Sequence, residues 1–285
     1  MKSVVITGVS TGIGHGAAKV LTQKGFHVFG SVRKREDGER LKKEFGDRFT
    51  PLLFDVTDEA AVKRGAETVR AALNGEKLFG LVNNAGIAVS GPLIEVDPDD
   101  FRKQLEVNVT GPLLVTQAFA PLLGVDGSLK GKPGRIVNIS SVGGKRAFPF
   151  IGPYAASKFA LEGFSESLRR ELMLFGIDVI VIGPGAVKTA IWDKAEEVDI
   201  SRYGNSPYLP ILQSFQNTFV AQGRKGLPPE KLGRLIHKAL TAANPKVRYA
   251  ANPASFVEKA MMTLAPKRTL DKVIAKTLGL TKQDG

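Results

Sequence analysis

Tyr154 and Lys158 stand four residues apart in PYAASKFALEGFSESLRRELMLFG, a stretch whose spacing predicts a helix over about 153 to 175. On a helix they share one face, one turn apart. An ammonium beside a phenol favours the phenolate and draws its pKa down from about 10 toward the working range of an acid/base catalyst. The chemistry such a pair can do is to give a proton to an oxygen or take one from it. A tyrosine and a lysine at this spacing also occur on solvated helix faces, so the pair needs company. Ser140 and Ser141 supply it, closing the predicted strand GRIVNISS, with Ser141 thirteen positions before Tyr154.

A second group of residues could hold a phosphate. In SVVITGVSTGIGHGAAKVLTQKG, residues 3 to 25, the β-branched run Val4, Val5 and Ile6 reads as a buried strand. Glycines follow at Gly8, Gly12 and Gly14, and then Ala17, Ala18, Val20 and Leu21 take helical spacing, with Gly25 as a C-terminal cap. A pyrophosphate on a helix N-terminus needs free N–H groups and no side chain in its way. Gly8 allows the turn, Gly12 the close approach, and Gly14 tight helix-on-strand packing. The pattern Thr-Gly-x-x-x-Gly-x-Gly is compatible with an ordinary strand-to-helix turn as well as with a dinucleotide site.

The cofactor choice falls at the end of the second strand, FHVFGSVR, residues 26 to 33. An acid there bonds the ribose 2′-OH of NAD, whereas an arginine can hold the 2′-phosphate of NADP. This strand ends Val32-Arg33-Lys34-Arg35, and the first acids, Glu36 and Asp37, come too late. NADP is therefore expected, with NAD possible. The alternative is that residues 33 to 35 form a solvated loop. Asp55 closes the strand FTPLLFDVTD, where its carboxylate could accept from an adenine amino group, and Asp58 reads as the N-cap of a helix to about 73. The strand LFGLVNNAG then runs into Asn83-Asn84-Ala85-Gly86, small residues that suit either a turn or a cofactor rim. From 98 to 123 a helical pattern is interrupted by Asn108 and by Gly111-Pro112.

Composition removes several classes of function. The 285 residues are enough for a large core, and no cysteine is present, which excludes disulfides, thiolate metal sites and cysteine nucleophiles. His15, His27 and His237 show no ligand spacing, so no metal site is expected. No apolar run is read as reaching the roughly 18 residues of a bilayer span. Met1 to Ile6 leads straight into the glycine turn without a signal-peptide layout, and a cytoplasmic protein is the expectation. The net charge of +12 is scattered, without interleaved aromatics, which favours a solvated surface and attraction of an anionic cofactor over nucleic-acid binding.

Taken together in order, the Thr-Gly-x-x-x-Gly-x-Gly turn, Asn-Asn-Ala-Gly, the Ile-Ser-Ser strand end, Tyr-x-x-x-Lys, and Pro184-Gly185 after the strand DVIVI resemble the short-chain dehydrogenase/reductase family. The resemblance spans residues 3 to about 250. It implies that Ser141 polarises the substrate oxygen, that Tyr154 passes the proton, and that Lys158 lowers its pKa and bonds the nicotinamide ribose. Asn108 matches the family asparagine that positions a water and extends a proton relay. On the cofactor side the resemblance implies contacts from Gly8, Ser10, Thr11, Gly12, Ile13 and Gly14. Further contacts would come from Arg33, Asp55, Val56, Ala85, Gly86, Pro184 and Gly185, with Asn83 under the ribose and Val187 and Thr189 on the carboxamide. Hydride transfer between nicotinamide and a secondary alcohol or ketone follows, with an NAD-dependent alcohol dehydrogenase or a non-catalytic NADP sensor as alternatives. The Arg33 loop and the extended C-terminus resemble the branch holding hydroxysteroid and retinol dehydrogenases.

The expected fold is one doubly wound α/β domain over residues 1–285, with seven parallel strands, helices on both faces and a helical C-terminal extension over 251–285. Residues 190–227, rich in Trp192, Tyr203, Tyr208, Phe215 and Phe219, are by the family resemblance a lid over an apolar substrate of steroid, retinoid or lipid type, while the residues by themselves fit a stripe packed on the core nearly as well. In the extension two amphipathic patterns flank Pro266, fit to cover the sheet edge or pocket or, less simply, to lie on a lipid surface; no membrane association is expected. A homodimer or homotetramer through the helices around 100–122 and 153–175 is expected from the resemblance alone.

Overall fold

The computed structural model describes residues 1–197, 199–251 and 265–281, excepting the side chain of Lys194. Seven strands form one parallel sheet: β1 Ser3–Ile6, β2 His27–Val32, β3 Phe49–Leu53, β4 Gly80–Asn83, β5 Arg135–Ile139, β6 Asp178–Pro184 and β7 Arg248–Ala251. Their order is β3-β2-β1-β4-β5-β6-β7, so the winding reverses between β1 and β4. In such a sheet the crevice for a ligand opens at that reversal, beyond the C-terminal strand ends.

Successive strand residues face opposite sides, and β1 shows what this does to its apolar run. Val4 and Ile6 pack with Ala17 and Leu21 of helix α1 (Gly12–Gln23) and with Leu232 and Ile236 of α9 (Pro229–Thr241). Val5 packs on the other side with Val62 of α3 (Glu59–Leu73) and with Val115 and Phe119 of α5 (Gly111–Ala120). All three strand residues are fully buried, so the sheet has a core on both faces. Burying each such side chain contributes about 1.5–3 kcal/mol relative to leaving it in water. Asp58 caps α3 as expected, accepting from the Ala61 N–H at 2.9 Å.

The remaining helices include α2 Arg35–Phe45, α4 Pro98–Leu105, α6 Gly152–Glu171, α7 Ile191–Glu196 and α8 Leu209–Arg224. Between α4 and α5 the expected break at Asn108 is a π-helical turn, Glu106–Thr110, and the chain stays helical through Pro112, which takes the first turn of α5. Against the expectation that no stretch reaches the length of a bilayer span, the 28-residue helical run Pro98–Val125 contains a window of 18 residues with mean hydropathy 1.2, enough for a membrane span by length and composition. The reason is that α5 supplies Val115 and Phe119 to the core and has few charges to interrupt it. In the extension, the pattern after Pro266 is a helix, Lys267–Leu278; the earlier pattern lies outside the described residues.

Candidate active site

The glycine turn is held from two sides. Thr7 Oγ1 accepts from the N–H groups of Asn84 (2.9 Å) and Ala85 (3.0 Å), while the Asn84 amide donates to the carbonyls of Thr7 (2.8 Å) and Gly8 (3.0 Å). These bonds lock the end of β1 to the segment after β4. Gly8 and Gly12 take left-handed φ values of 69° and 63°, which other residues adopt only with strain. A Cβ on Gly14 would lie 2.2 Å from the Gly8 carbonyl oxygen, so helix and turn meet too closely for any side chain. Thr11 precedes α1 with no side-chain cap, and no acid sits in the first turn. The amides at that end are thus left to a ligand, and the dipole there favours an anion.

One cleft runs over this turn. Of the expected cofactor residues, Gly8, Ser10, Thr11, Gly12, Ile13, Arg33, Asp55, Val56, Ala85, Gly86 and Thr189 line it. Arg33 is exposed at the rim, 3.7 Å from an Asp55 carboxylate oxygen, and the other Asp55 oxygen accepts from Thr57 N–H (3.1 Å) and hydroxyl (2.9 Å). Asn83 lies elsewhere. As the last residue of β4 it points into the core, where its amide donates to Thr116 (3.1 Å) and Asn138 (2.9 Å). Its neighbour Asn84 takes the place at the cleft. Pro184 ends β6, and the Gly185 N–H continues the ladder to Ala251 at 2.9 Å. Val187 is buried, its carbonyl accepting from the Trp192 indole at 2.6 Å. The Gly8 and Val9 amides of the turn donate to Ser31, each at 3.0 Å, but the uncapped start of α1 with a guanidinium across the cleft has the donor chemistry of a site for a phosphorylated dinucleotide.

Ser141, Tyr154 and Lys158 come together beyond β5. Ser141 is extended and opens a short 3₁₀ turn, Val142–Gly144, its hydroxyl accepting from the Gly143 N–H at 3.0 Å. It also faces the Tyr154 phenol, where it acts to lower the phenol's pKa. Lys158, buried on α6, donates to the Ile139 carbonyl at 2.9 Å and lies 5.7 Å from the centre of the Tyr154 ring. Burial dominates the electrostatics of both groups. It pushes the Tyr154 phenol up, against the Ser141 hydroxyl, which is the reverse of the direction expected from the lysine alone. It brings the Lys158 ammonium down to about 8, against the Glu162 carboxylate.

Asn108 joins this group to the cleft. Its side-chain oxygen accepts from the Ile87 N–H (2.9 Å), and its amide donates to the Ile87 carbonyl (3.0 Å) and the Ser157 hydroxyl (3.0 Å). Gln104, one turn earlier and fully buried, repeats the arrangement on Val89 N–H (2.7 Å), Ile87 carbonyl (3.0 Å) and Ser157 (3.3 Å). Both amides thus hold the extended segment after β4 at Ile87 and Val89. Sequence reasoning did not single out Asn84, Gln104 or Ser157. For Gln104 a signal existed, a second amide four residues before Asn108 on the same helix face.

Residues 190–227 pack largely on one another. Trp192 meets Phe219 (5.1 Å between ring centres), Phe219 stacks on Phe215 (5.1 Å), and Phe215 meets Phe150 (5.5 Å). Leu280, just past the last helix, packs on the cluster of Phe150, Tyr203 and Leu212.

Residues 2–199 match the sequence model of the short chain dehydrogenases. The chain is 38% identical over 284 residues, all of both chains, to an NADPH-dependent 3-dehydrocapnine reductase of Ornithobacterium rhinotracheale. It is 34% identical to human retinol dehydrogenase 5, over 93% of this chain and 89% of that one. Among solved structures it superposes on a short chain dehydrogenase from Burkholderia cenocepacia in complex with NADP, with a TM-score of 0.71 and 25% identity, over 96% of this chain and 99% of that one.

Proposed function

The chain belongs to the short-chain dehydrogenase family of oxidoreductases, and from that premise we propose that it transfers hydride between NADP(H) and a secondary alcohol or ketone on an apolar small molecule. The observation that carries the proposal is the meeting of Ser141, Tyr154 and Lys158 beside a cleft built on the glycine turn and tied to it through Asn108. When bound, the nicotinamide supplies or accepts the hydride. The residues of the chain do the rest.

The start of α1 would bind the pyrophosphate, Asp55 the adenine, and Arg33 the 2′-phosphate. Val187 and Thr189 would meet the carboxamide, and the indole bond to Val187 fixes that segment. Ser141 would donate to the substrate oxygen and Tyr154 would give it a proton in reduction or take one in oxidation. Because burial holds the phenol protonated, Tyr154 is poised as an acid near neutral pH. Lys158 would hold the ribose and return the proton. A water at Asn108 would link Lys158 to solvent; in support, Asn108 sits in a π turn and bonds α6 next to Lys158.

We read residues 190–227 as the substrate lid, supported by its aromatic wall of Trp192, Phe215 and Phe219. Similarity to a retinol dehydrogenase supports a substrate of steroid, retinoid or lipid type. Residues 1–285 act as one catalytic domain in this reading. Self-association through α5 and α6 is supported by Leu113 and Phe159, exposed at 39% and 46%. A cytoplasmic location belongs to the same proposal, since the one described span apolar enough for a bilayer contributes its buried face to the fold. The test is consumption of NADPH with a panel of apolar ketones; binding of NADPH without turnover of any ketone or alcohol would overturn it.

A further inference from the structure

Arg248 of β7 and Glu162 of α6 are 86 positions apart, yet they form a forked ion pair behind the catalytic group. Arg248 Nε donates to the two Glu162 oxygens at 3.2 and 3.1 Å, and a terminal guanidinium nitrogen donates to one of them at 3.1 Å. The same nitrogen reaches the main-chain carbonyl of Ser141 at 3.5 Å, the outer limit of a hydrogen bond. Space for the guanidinium exists because β6 has no side chain at Gly183, where a Cβ would lie 2.3 Å from it. Glu162 is one helical turn beyond Lys158, and its carboxylate is only 9% exposed. A Cβ on Gly144 would lie 3.0 Å from Glu162 Cγ and 2.9 Å from the Lys158 carbonyl, so the turn that opens with Ser141 rests directly on α6. Lys145 approaches the same carboxylate at 3.5 Å.

An ion pair this buried is weak evidence of stabilisation, since desolvating the charges offsets most of their attraction. What it does provide is fixed geometry and fixed charge next to Ser141 and Lys158. We propose that Glu162 and Arg248 are a positioning pair: Arg248 ties the Ser141 turn to α6, and Glu162, balanced by Arg248 and Lys145, sets the charge that Lys158 faces from its own helix. The proposal rests on the catalytic reading of Ser141 and Lys158 given above. The charged and titratable groups meeting here are Tyr154 and Glu162 from α6, Lys145 from the loop and Arg248 from β7. Glu162 acts against the burial that lowers the Lys158 pKa.

The two members of the pair therefore push Lys158 in opposite directions, which gives the test. Lysine side chains are labelled with carbon-13, the Lys158 resonance is assigned by its loss in Lys158→Arg, and its pH titration is followed by NMR. In Glu162→Gln, Lys158 should release its proton about three- to tenfold more readily than in the unsubstituted protein. In Arg248→Met, which frees the Glu162 charge, it should hold the proton more tightly, and Arg248→Lys should bring the midpoint back toward the original value. Alongside, Glu162→Gln should lower kcat about tenfold with KM within about twofold and move the basic limb of the pH profile to lower pH. Midpoints unmoved in both variants, or moved in the same direction as general loosening would move them, would overturn the pair's role. The titration needs no substrate. An unsubstituted protein that binds NADPH but turns over no ketone or alcohol would overturn the oxidoreductase reading separately, while the titration still decides the pair.

Discussion

Lys158 Nζ lies 5.7 Å from the centre of the Tyr154 ring and spends a hydrogen bond on the Ile139 carbonyl at 2.9 Å. The ammonium is thus anchored to the end of β5 rather than to the phenol. Desolvation in the fold pushes the Tyr154 phenol above its usual value, against the effect of the neighbouring Ser141 hydroxyl. This assigns the proton to Tyr154 and the positioning to its neighbours.

Tyr154→Phe removes the proton while preserving the ring. Turnover should fall by about 10²–10⁴-fold, the usual worth of a general acid. The NADPH dissociation constant should stay within about twofold. Steady-state kinetics with a fluorescence titration separates the two, and near-normal turnover would sink the role given to Tyr154.

The pH dependence of reduction follows from the two shifts. Lys158 is charged below about 8 and loses its proton above it, while Tyr154 stays protonated past its usual value. Reduction should therefore run fastest below about 8 and decline as pH rises through it. A rate rising steadily between pH 7 and 10 would contradict this assignment.

Arg33 stands exposed at the cleft rim, paired loosely with Asp55 at 3.7 Å. Arg33→Ser should weaken NADPH binding about tenfold, roughly 1.4 kcal/mol, and leave NADH binding unchanged. Quenching of Trp192 reports both, since its indole is bonded to the carbonyl of Val187. Equal losses for the two cofactors would mean that Arg33 acts on something other than the 2′-phosphate.

Gly14→Ala places a methyl group 2.2 Å from the Gly8 carbonyl oxygen and 2.5 Å from the Asn84 amide. Both neighbours are fixed by hydrogen bonds, so the turn must move. Overpacking of this kind costs about 1–3 kcal/mol. Thermal unfolding should show that loss, and NADPH binding should weaken with it. Gly75→Ala, at a positive φ that Gly14 does not have and with open space around it, should cost stability without touching NADPH affinity.

What the sequence made legible was local. Strand and helix spans follow from short-range periodicity: the helix expected at 58 to 73 is Glu59–Leu73, and the strand DVIVI lies within Asp178–Pro184. The glycine turn and the Ser141, Tyr154 and Lys158 group were legible because each residue has its chemistry written into a short motif. Asn83 and Asn84 were not separable, because only the pleat of β4 decides which of two adjacent asparagines faces the cleft and which the core. Glu162 and Arg248 left no local trace, since β7 and α6 are far apart in the sequence and meet only in the assembled fold. The phenol's direction of shift was misjudged for the same reason: a lysine four residues away is visible in sequence, whereas burial is a property of the folded chain.

The most direct test of the central claim is an assay of the purified protein with NADPH and a series of apolar ketones, following cofactor oxidation and product alcohol together. The expected result is one alcohol formed per NADPH consumed, with turnover lost in Tyr154→Phe. Tight NADPH binding with no alcohol formed from any ketone, and no ketone formed from the corresponding alcohols and NADP, would contradict it.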